Sequence, residues 1–318
     1  DMPDGHGNIS VKPETRQLIK DTAKELNYVP HRNARALRTG HSQLIGILSL
    51  QSVHPVHYAK ERRIFEDITS RGYEYLLHDV DCESPDSLDN AISSMLDYMV
   101  EGVILVDIPA EAFTQEQSDK FVESGIPITM CGGTATPPGA CIRCPYYDAG
   151  YRLAQGLIDR GRKDIAIVCR PKILTIITQP ERIQGMKDAC RDRGIPEPTV
   201  YVTKLPYSIS DIEMGYETTL EVLKEHKPDC IFYTNDFIAY GGLRALKESG
   251  IVVPDDMYVC GFDGIELARY STPSLTTVVQ HTTQMATICV EKLFEAIEGN
   301  DKFVHQEIIV PGEIIFRE

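Results

Sequence analysis

Along most of the chain, short continuous apolar runs alternate with longer stretches whose apolar residues recur every three or four positions. The run "LIGILSL" at 44–50 predicts a buried strand, and "YEYLLHDV" at 73–80, "VILVDI" at 103–108 and "PITMCG" at 127–132 predict further strands. Between them, 58–72, 87–102 and 115–125 carry helical spacing, each closed by a glycine. The alternation then starts again. Helices are expected at 149–161, 181–194, 210–226 and 237–250, and strands at 164–169, 199–205, 230–235 and 257–263. Strands that are apolar on both faces, separated by helices of ten or more residues, belong to parallel sheets covered on both sides. Two rounds of the pattern predict two doubly wound α/β domains of similar size. The tail differs: 276–282 reads as strand, 283–299 as helix and 305–318 as strands. That is too little for a third domain, so the tail is expected to complete the two sheets, with the chain crossing between them more than once.

The first forty residues do not follow this pattern. Residues 13–27, "PETRQLIKDTAKELN", predict a helix that starts at Pro13 and has Leu18, Ile19, Ala23 and Leu26 on one face. Residues 31–40, "HRNARALRTG", offer only Ala34, Ala36 and Leu37 as apolar positions, too few for a helix that is stable alone. On the residues alone, a solvated linker and a short helix remain equal readings.

Charge sharpens the contrast. The 318-residue chain carries a net charge of −15, which argues against polyanion contact by the body of the protein. Residues 12–40 nevertheless hold seven Lys/Arg against three Asp/Glu, so any nucleic-acid contact is confined to this basic arm. No apolar run is long enough to span a bilayer, and "DMPDGHGNIS" lacks the pattern of a secretory leader. Nine cysteines, several inside apolar runs (Cys169, Cys230, Cys260), are expected as reduced core residues of a cytoplasmic protein.

Catalytic signatures are not found. There is no phosphate-binding glycine loop after the first strand, no HExxH and no nucleophile elbow, and His54, His57 and His281 are scattered through predicted loops. Cys141 and Cys144 have the spacing of a metal or redox pair but lack a second pair. The expectation is a non-enzyme without cofactor or metal.

Two segments resemble the lactose/galactose repressor (LacI/GalR) family of transcription regulators. "VKPETRQLIKDTAKELNYVPHRNARALRTGHSQLIGIL" is similar to the end of the family's DNA-binding headpiece, its hinge helix and first core strand. The pieces "YTND", "GLRAL", "VPDD", "GFD" and "P-LTTV-Q", in that order between 232 and 280, resemble the family's most specific block. The resemblance covers nearly the whole chain. It implies two Rossmann-like subdomains of the type I periplasmic-binding-protein kind with three crossovers, preceded by a partial helical headpiece and hinge helix. The expected parts are 1–43 for the headpiece remnant and hinge, 44–146 with 279–305 for the N-terminal subdomain, and 147–278 with 306–318 for the C-terminal one. The chain departs from the family pattern at its start, where "DMPDGHGNISVKPETR" matches only the turn and third helix of the helix-turn-helix.

The resemblance also assigns roles. Leu37 stands where the family's hinge helix inserts a leucine into the minor groove, with Arg32, Arg35 and Arg38 as phosphate or groove contacts. Under this reading the sparse apolar content of 31–40 suits a segment that folds on DNA. Arg182, Asn235, Asp263 and Gln280 align with effector contacts, and they follow strands whose carboxyl ends face a cleft. A carboxylate, a guanidinium and two amides suit a polyhydroxylated ligand, a sugar above all. His57 and Tyr58 fall where relatives carry an aromatic pair, while Cys131-Gly132-Gly133 replaces a position that often carries an acidic or aromatic contact. Tyr207 is placed near the cleft mouth. The implied protein is an effector-responsive repressor acting as a homodimer on operator DNA. The alternative is a periplasmic-type sugar-binding protein without DNA function. Control by a protein partner, as in the family's catabolite-control branch, has no diagnostic residue.

Overall fold

The apolar runs at 44–50, 102–106, 128–131, 165–169 and 230–233 become strands covered on both faces, whereas 74–80 and 199–202 form edge strands that are largely exposed. In this computed structural model the described residues are 12–26, 40–52, 54–82, 84, 86–171, 179–206, 209–299 and 302–317. Residues Asp1–Gln43 and Leu44–Glu318 form two separate compact units. The first contains helix α1 (Pro13–Glu25), with Glu14 in its first turn, where the helix dipole favours an acid. Its Leu18 and Ile19 are exposed.

The second unit is built on two parallel sheets. Its first half runs β1 (Leu44–Leu50), α2 (Pro55–Ser70), β2 (Glu74–Val80), α3 (Ser87–Asp97), β3 (Gly102–Val106), α4 (Gln115–Ser124), β4 (Ile128–Cys131) and β5 (Ala140–Arg143). The second half runs α5 (Tyr146–Asp159), β6 (Ile165–Cys169), α6 (Gln179–Asp192), β7 (Thr199–Val202), α7 (Asp211–Glu225), β8 (Cys230–Tyr233), α8 (Asp236–Glu248), β9 (Tyr258–Cys260) and the short α9 (Leu267–Tyr270). The tail supplies β10 (Thr277–Val279), α10 (Thr282–Glu298), β11 (Gln306–Ile309) and β12 (Glu313–Ile315).

The N-terminal sheet has the order β11-β5-β4-β3-β1-β2, and every pairing in it is parallel. The C-terminal sheet has the order β7-β6-β8-β9. Single parallel bridges, Cys260 to Thr276 and Asp263 to Val279, bring β10 beside it, and β12 pairs antiparallel with β10. The chain therefore crosses between lobes after β5, after β10 and after β11. This differs from the expected boundary at 305/306, because β11 hydrogen-bonds along β5 and stays in the N-terminal lobe. Strand β5 was not anticipated from the sequence, α5 starts at Tyr146 rather than 149, and α2 starts at Pro55 rather than 58.

Alternation along each strand divides the core. Leu48, Val103, Leu105 and Met130 face one side, against α3 and α4. Ile45, Ile47, Ile104 and Val106 face the other, against α2 and α10. In the second lobe, Val168, Ile231 and Tyr233 meet α7 and α8 on one side, and Ile165, Ile167 and Phe232 meet α5 and α6 on the other. One buried cluster runs through both lobes by way of Cys144, Tyr146, Phe262 and Val278. Local signals agree with this packing. Thr114 and Gln117 form a reciprocal capping box at the start of α4, and Gly125 ends that helix at φ +69°.

Candidate functional site

Side chains from several separate elements meet where the two lobes join. Asp263 follows β9 in a left-handed conformation, φ +116°, and is 6% exposed. Gln280, just past β10, donates from Nε2 to Asp263 Oδ1 at 2.7 Å and accepts from Tyr146 Oη at 3.3 Å. Arg182, in the first turns of α6, donates from Nη1 to the Thr234 carbonyl at 2.6 Å, and its Nη2 lies 3.7 Å from Asp263 Oδ1. Its guanidinium lies over the Phe262 ring at 3.8 Å and beside the Tyr146 ring at 4.9 Å.

Close helix packing sets the position of Arg182. Gly150 of α5 faces it so tightly that an added Cβ would sit 2.2 Å from the Arg182 carbonyl oxygen. A larger residue there would clash with the α6 backbone at Arg182 itself.

Asn235 joins the same region in a different way. It caps α8, its Oδ1 accepting from Ile238 N at 2.8 Å, and its Nδ2 donates to Asp211 Oδ2 at 2.9 Å. Asp211 is also paired with Arg170. The next residue, Asp236, is fully buried. It accepts from Thr277 Oγ1 at 2.6 Å and Ile265 N at 2.9 Å, which ties α8 to the Asp263 loop and to β10. Burial, helped by the nearby Asp263 charge, pushes its carboxyl up to about 8.

His57 and Tyr58 are not part of this cluster. Because α2 begins at Pro55, both lie in its first turn, about 100° apart around the helix axis. Tyr58 is 62% exposed. His57 turns into the N-terminal lobe, with Nε2 2.7 Å from Ser49 Oγ and Nδ1 2.9 Å from Asp107 Oδ2. Lys60 donates to both Asp107 oxygens at 2.7 and 2.9 Å, and Ser49 Oγ donates to Glu61 at 2.5 Å. Burial opposes the charged imidazole, but the hydrogen bonds with Asp107 and Glu61 outweigh it and raise His57 to about 9. Burial likewise opposes the Asp107 carboxylate, yet Lys60 and His57 hold it well below the usual range. An added Cβ at Gly132 would lie 2.0 Å from Asp107 Oδ1, so the glycine at this departure from the family pattern makes room for the charged network.

The residue that sequence reasoning missed is His54. It caps α2 in the N-terminal lobe, and its Nε2 reaches Asp263 Oδ2 of the other lobe at 3.3 Å. Its ring stands edge-on to Phe237 of α8, centroids 5.3 Å apart. No spacing rule marks this residue, because its partners lie about two hundred residues away in the chain. Leu37, Arg32, Arg35, Arg38 and Tyr207 lie outside the described residues. Cys141 and Cys144 are buried free thiols that belong to different core clusters. Among the described residues, no group of three or more His, Cys, Asp and Glu is placed to hold a metal ion, and no helix is long and apolar enough to cross a membrane.

Two doubly wound lobes with polar side chains meeting between them define a two-lobed binding protein. The family model described as a periplasmic binding protein-like domain matches residues 154–318, just over half of the chain. Catabolite control protein A of Priestia megaterium is 28% identical over 317 residues, covering 98% of this chain and 92% of its own. The HTH-type transcriptional repressor PurR of Mannheimia succiniciproducens is 28% identical over 307 residues, covering 94% and 90%. The lac repressor dimer bound to operator and the anti-inducer ONPF has the same fold, with a TM-score of 0.83 at 22% identity, covering 96% of this chain and 90% of that one. The chain belongs to the family of proteins with a periplasmic binding protein-like domain.

Proposed function

We propose that the protein is a repressor whose core binds a small polyhydroxylated molecule, a sugar first of all, between its two lobes. The observation that carries this reading is the convergence of Arg182, Asp263, Gln280 and His54 from four elements and both lobes on one buried point. A carboxylate that accepts, a guanidinium that donates and an amide that does both match the alternating needs of hydroxyl groups.

In this reading the effector favours one angle between the lobes. That angle governs whether two hinge segments, one from each protomer of a homodimer, can dock together on operator DNA. Leu37 enters the minor groove and Arg32, Arg35 and Arg38 hold the backbone. The protein acts in the cytoplasm and performs no chemistry on its ligand. Its nine cysteines are free thiols, in keeping with a reducing compartment.

A thermal-shift screen against neutral mono- and disaccharides, sugar phosphates, nucleosides and purines tests the reading. A compound at a hundred times its dissociation constant adds about 2.7 kcal/mol, enough to move the midpoint by a few degrees. One hit class supports a small-molecule regulator. A flat response across the whole panel contradicts it.

A further inference from the structure

We infer that Arg143 and Glu181 are the two halves of a latch between the lobes, an ion pair that forms when the lobes turn away from the angle seen here and that effector binding breaks. The inference rests on the small-molecule reading above and adds a device that sets the ligand-free lobe angle.

A cavity of about 110 Å³ separates the two side chains. The N-terminal lobe supplies Arg143, Thr134 and Glu307 to its wall, the first crossing supplies Pro145 and Tyr146, and α6 of the C-terminal lobe supplies Glu181. At about 30 Å³ per water, the space is worth about three or four molecules. Its opposite walls belong to different lobes. A turn that narrows the cavity therefore carries a carboxylate towards a guanidinium.

Both side chains are short of a partner at the angle seen here. Arg143 ends β5, and its Nη2 donates to the Ala135 carbonyl at 2.6 Å and more weakly to the Thr134 carbonyl at 3.4 Å. Its Nη1 lies 3.5 Å from Glu307 Oε1, longer than a normal charge-assisted hydrogen bond. That nitrogen has a donor to spare. Glu181 makes no hydrogen bond or ion pair among the described residues. Burial raises its carboxyl, against the pull of Arg143 and Arg182. The acid and the spare donor face one space from two lobes.

The latch is wired to the effector residues on both sides. Glu181 directly precedes Arg182 on α6. Arg143 leads into the crossing that carries Tyr146, whose ring lies beside the Arg182 guanidinium and whose hydroxyl donates to Gln280. In this structure Arg182, Gln280 and His54 are gathered around Asp263 while the cavity stands open. The latched angle is a different one, in which that gathering is loosened. An effector that holds the four residues together pulls Glu181 off Arg143.

The test uses the whole chain as wild type, Glu181→Gln, Arg143→Gln and the double variant. Melting of the unliganded proteins comes first. We expect each single variant to lower the midpoint, and the double variant to match Arg143→Gln, since Glu181 then has nothing to pair with. Falls that simply add overturn the pair. Calorimetric titration follows, with whichever of D-glucose, D-galactose, D-ribose, cellobiose and adenosine raises the wild-type midpoint. Glu181→Gln should bind that compound about two- to five-fold more tightly, because loss of a partly exposed ion pair frees the binding-competent angle. Wild type should approach the affinity of the variant at about 1 M salt, where the pair is screened. Coupled midpoints with unchanged or weaker effector affinity make the pair a plain structural contact and overturn the latch. A panel that shifts no midpoint sinks the small-molecule reading, a different failure, and the melting cycle alone then decides the pair.

Discussion

Gln280 donates to Asp263 across 2.7 Å, joining the residue that follows β9 to the residue that follows β10 at the second crossing between lobes. The bond gives Asp263 a fixed direction and leaves its second oxygen facing His54 of the opposite lobe. Asp263 and the crossover are thus one mechanical piece, and movement of either lobe is felt at this carboxylate.

Asp263→Asn removes the charge that faces Arg182 and His54 while keeping the side chain's shape. The expected outcome is a folded protein, about 1–3 kcal/mol less stable, that shows no thermal shift with any compound that stabilises wild type. A preserved shift contradicts the placement of the effector beside Asp263.

Gly150→Ala sets two effects against each other. Alanine favours a helix over glycine by about 1 kcal/mol. The added Cβ, however, would lie 2.2 Å from a backbone oxygen of α6, which cannot yield as a flexible side chain would. Overpacking of this kind costs about 1–3 kcal/mol, so a lower midpoint is expected, together with weaker effector binding because Arg182 moves. A midpoint above wild type with unchanged affinity contradicts this.

His57 makes stability fall with rising pH. Its pKa is raised from 6.5 to about 9 in the folded chain. The stabilisation is fully present below about 6.5 and is lost as pH rises through about 9. It amounts to about 1–3 kcal/mol. Melting midpoints of wild type should therefore decline across this window more steeply than those of His57→Gln. Parallel curves for the two proteins contradict the buried Glu61–His57–Asp107 network.

Leu37→Ala, in a chain that carries a complete helix-turn-helix, should weaken specific operator binding by about 1–3 kcal/mol and leave effector affinity unchanged. Equal operator affinity in gel-shift titrations contradicts a wedge role for Leu37.

The sheets were legible because strands buried on both faces must be continuously apolar, and 44–50, 103–108 and 230–235 have that character. Strand β5 was not, because its four residues sit among Gly, Pro and Thr that read as loop. The lobe membership of β11 was not legible either, since 306–309 would fit either sheet as a strand and only its pairing with β5 decides. Arg182, Asp263 and Gln280 were found through the family resemblance, and the structure brings them together. His57 was set in a loop and Tyr58 at the start of the following helix; both lie in the first turn of α2, and neither joins the cluster. His54 and the Lys60–Asp107 pair were missed because they depend on contacts between distant segments, which local periodicity does not encode.

Linkage between effector and DNA tests the central claim most directly. DNA fragments retained by a headpiece-bearing form of this protein would be selected from its own genome. Their affinity would then be measured by fluorescence anisotropy with and without the thermal-shift hit. The account predicts a change of about five-fold or more, matched by an equal change in effector affinity when DNA is bound, because the coupling is reciprocal. DNA affinity that does not respond to a saturating effector would contradict it.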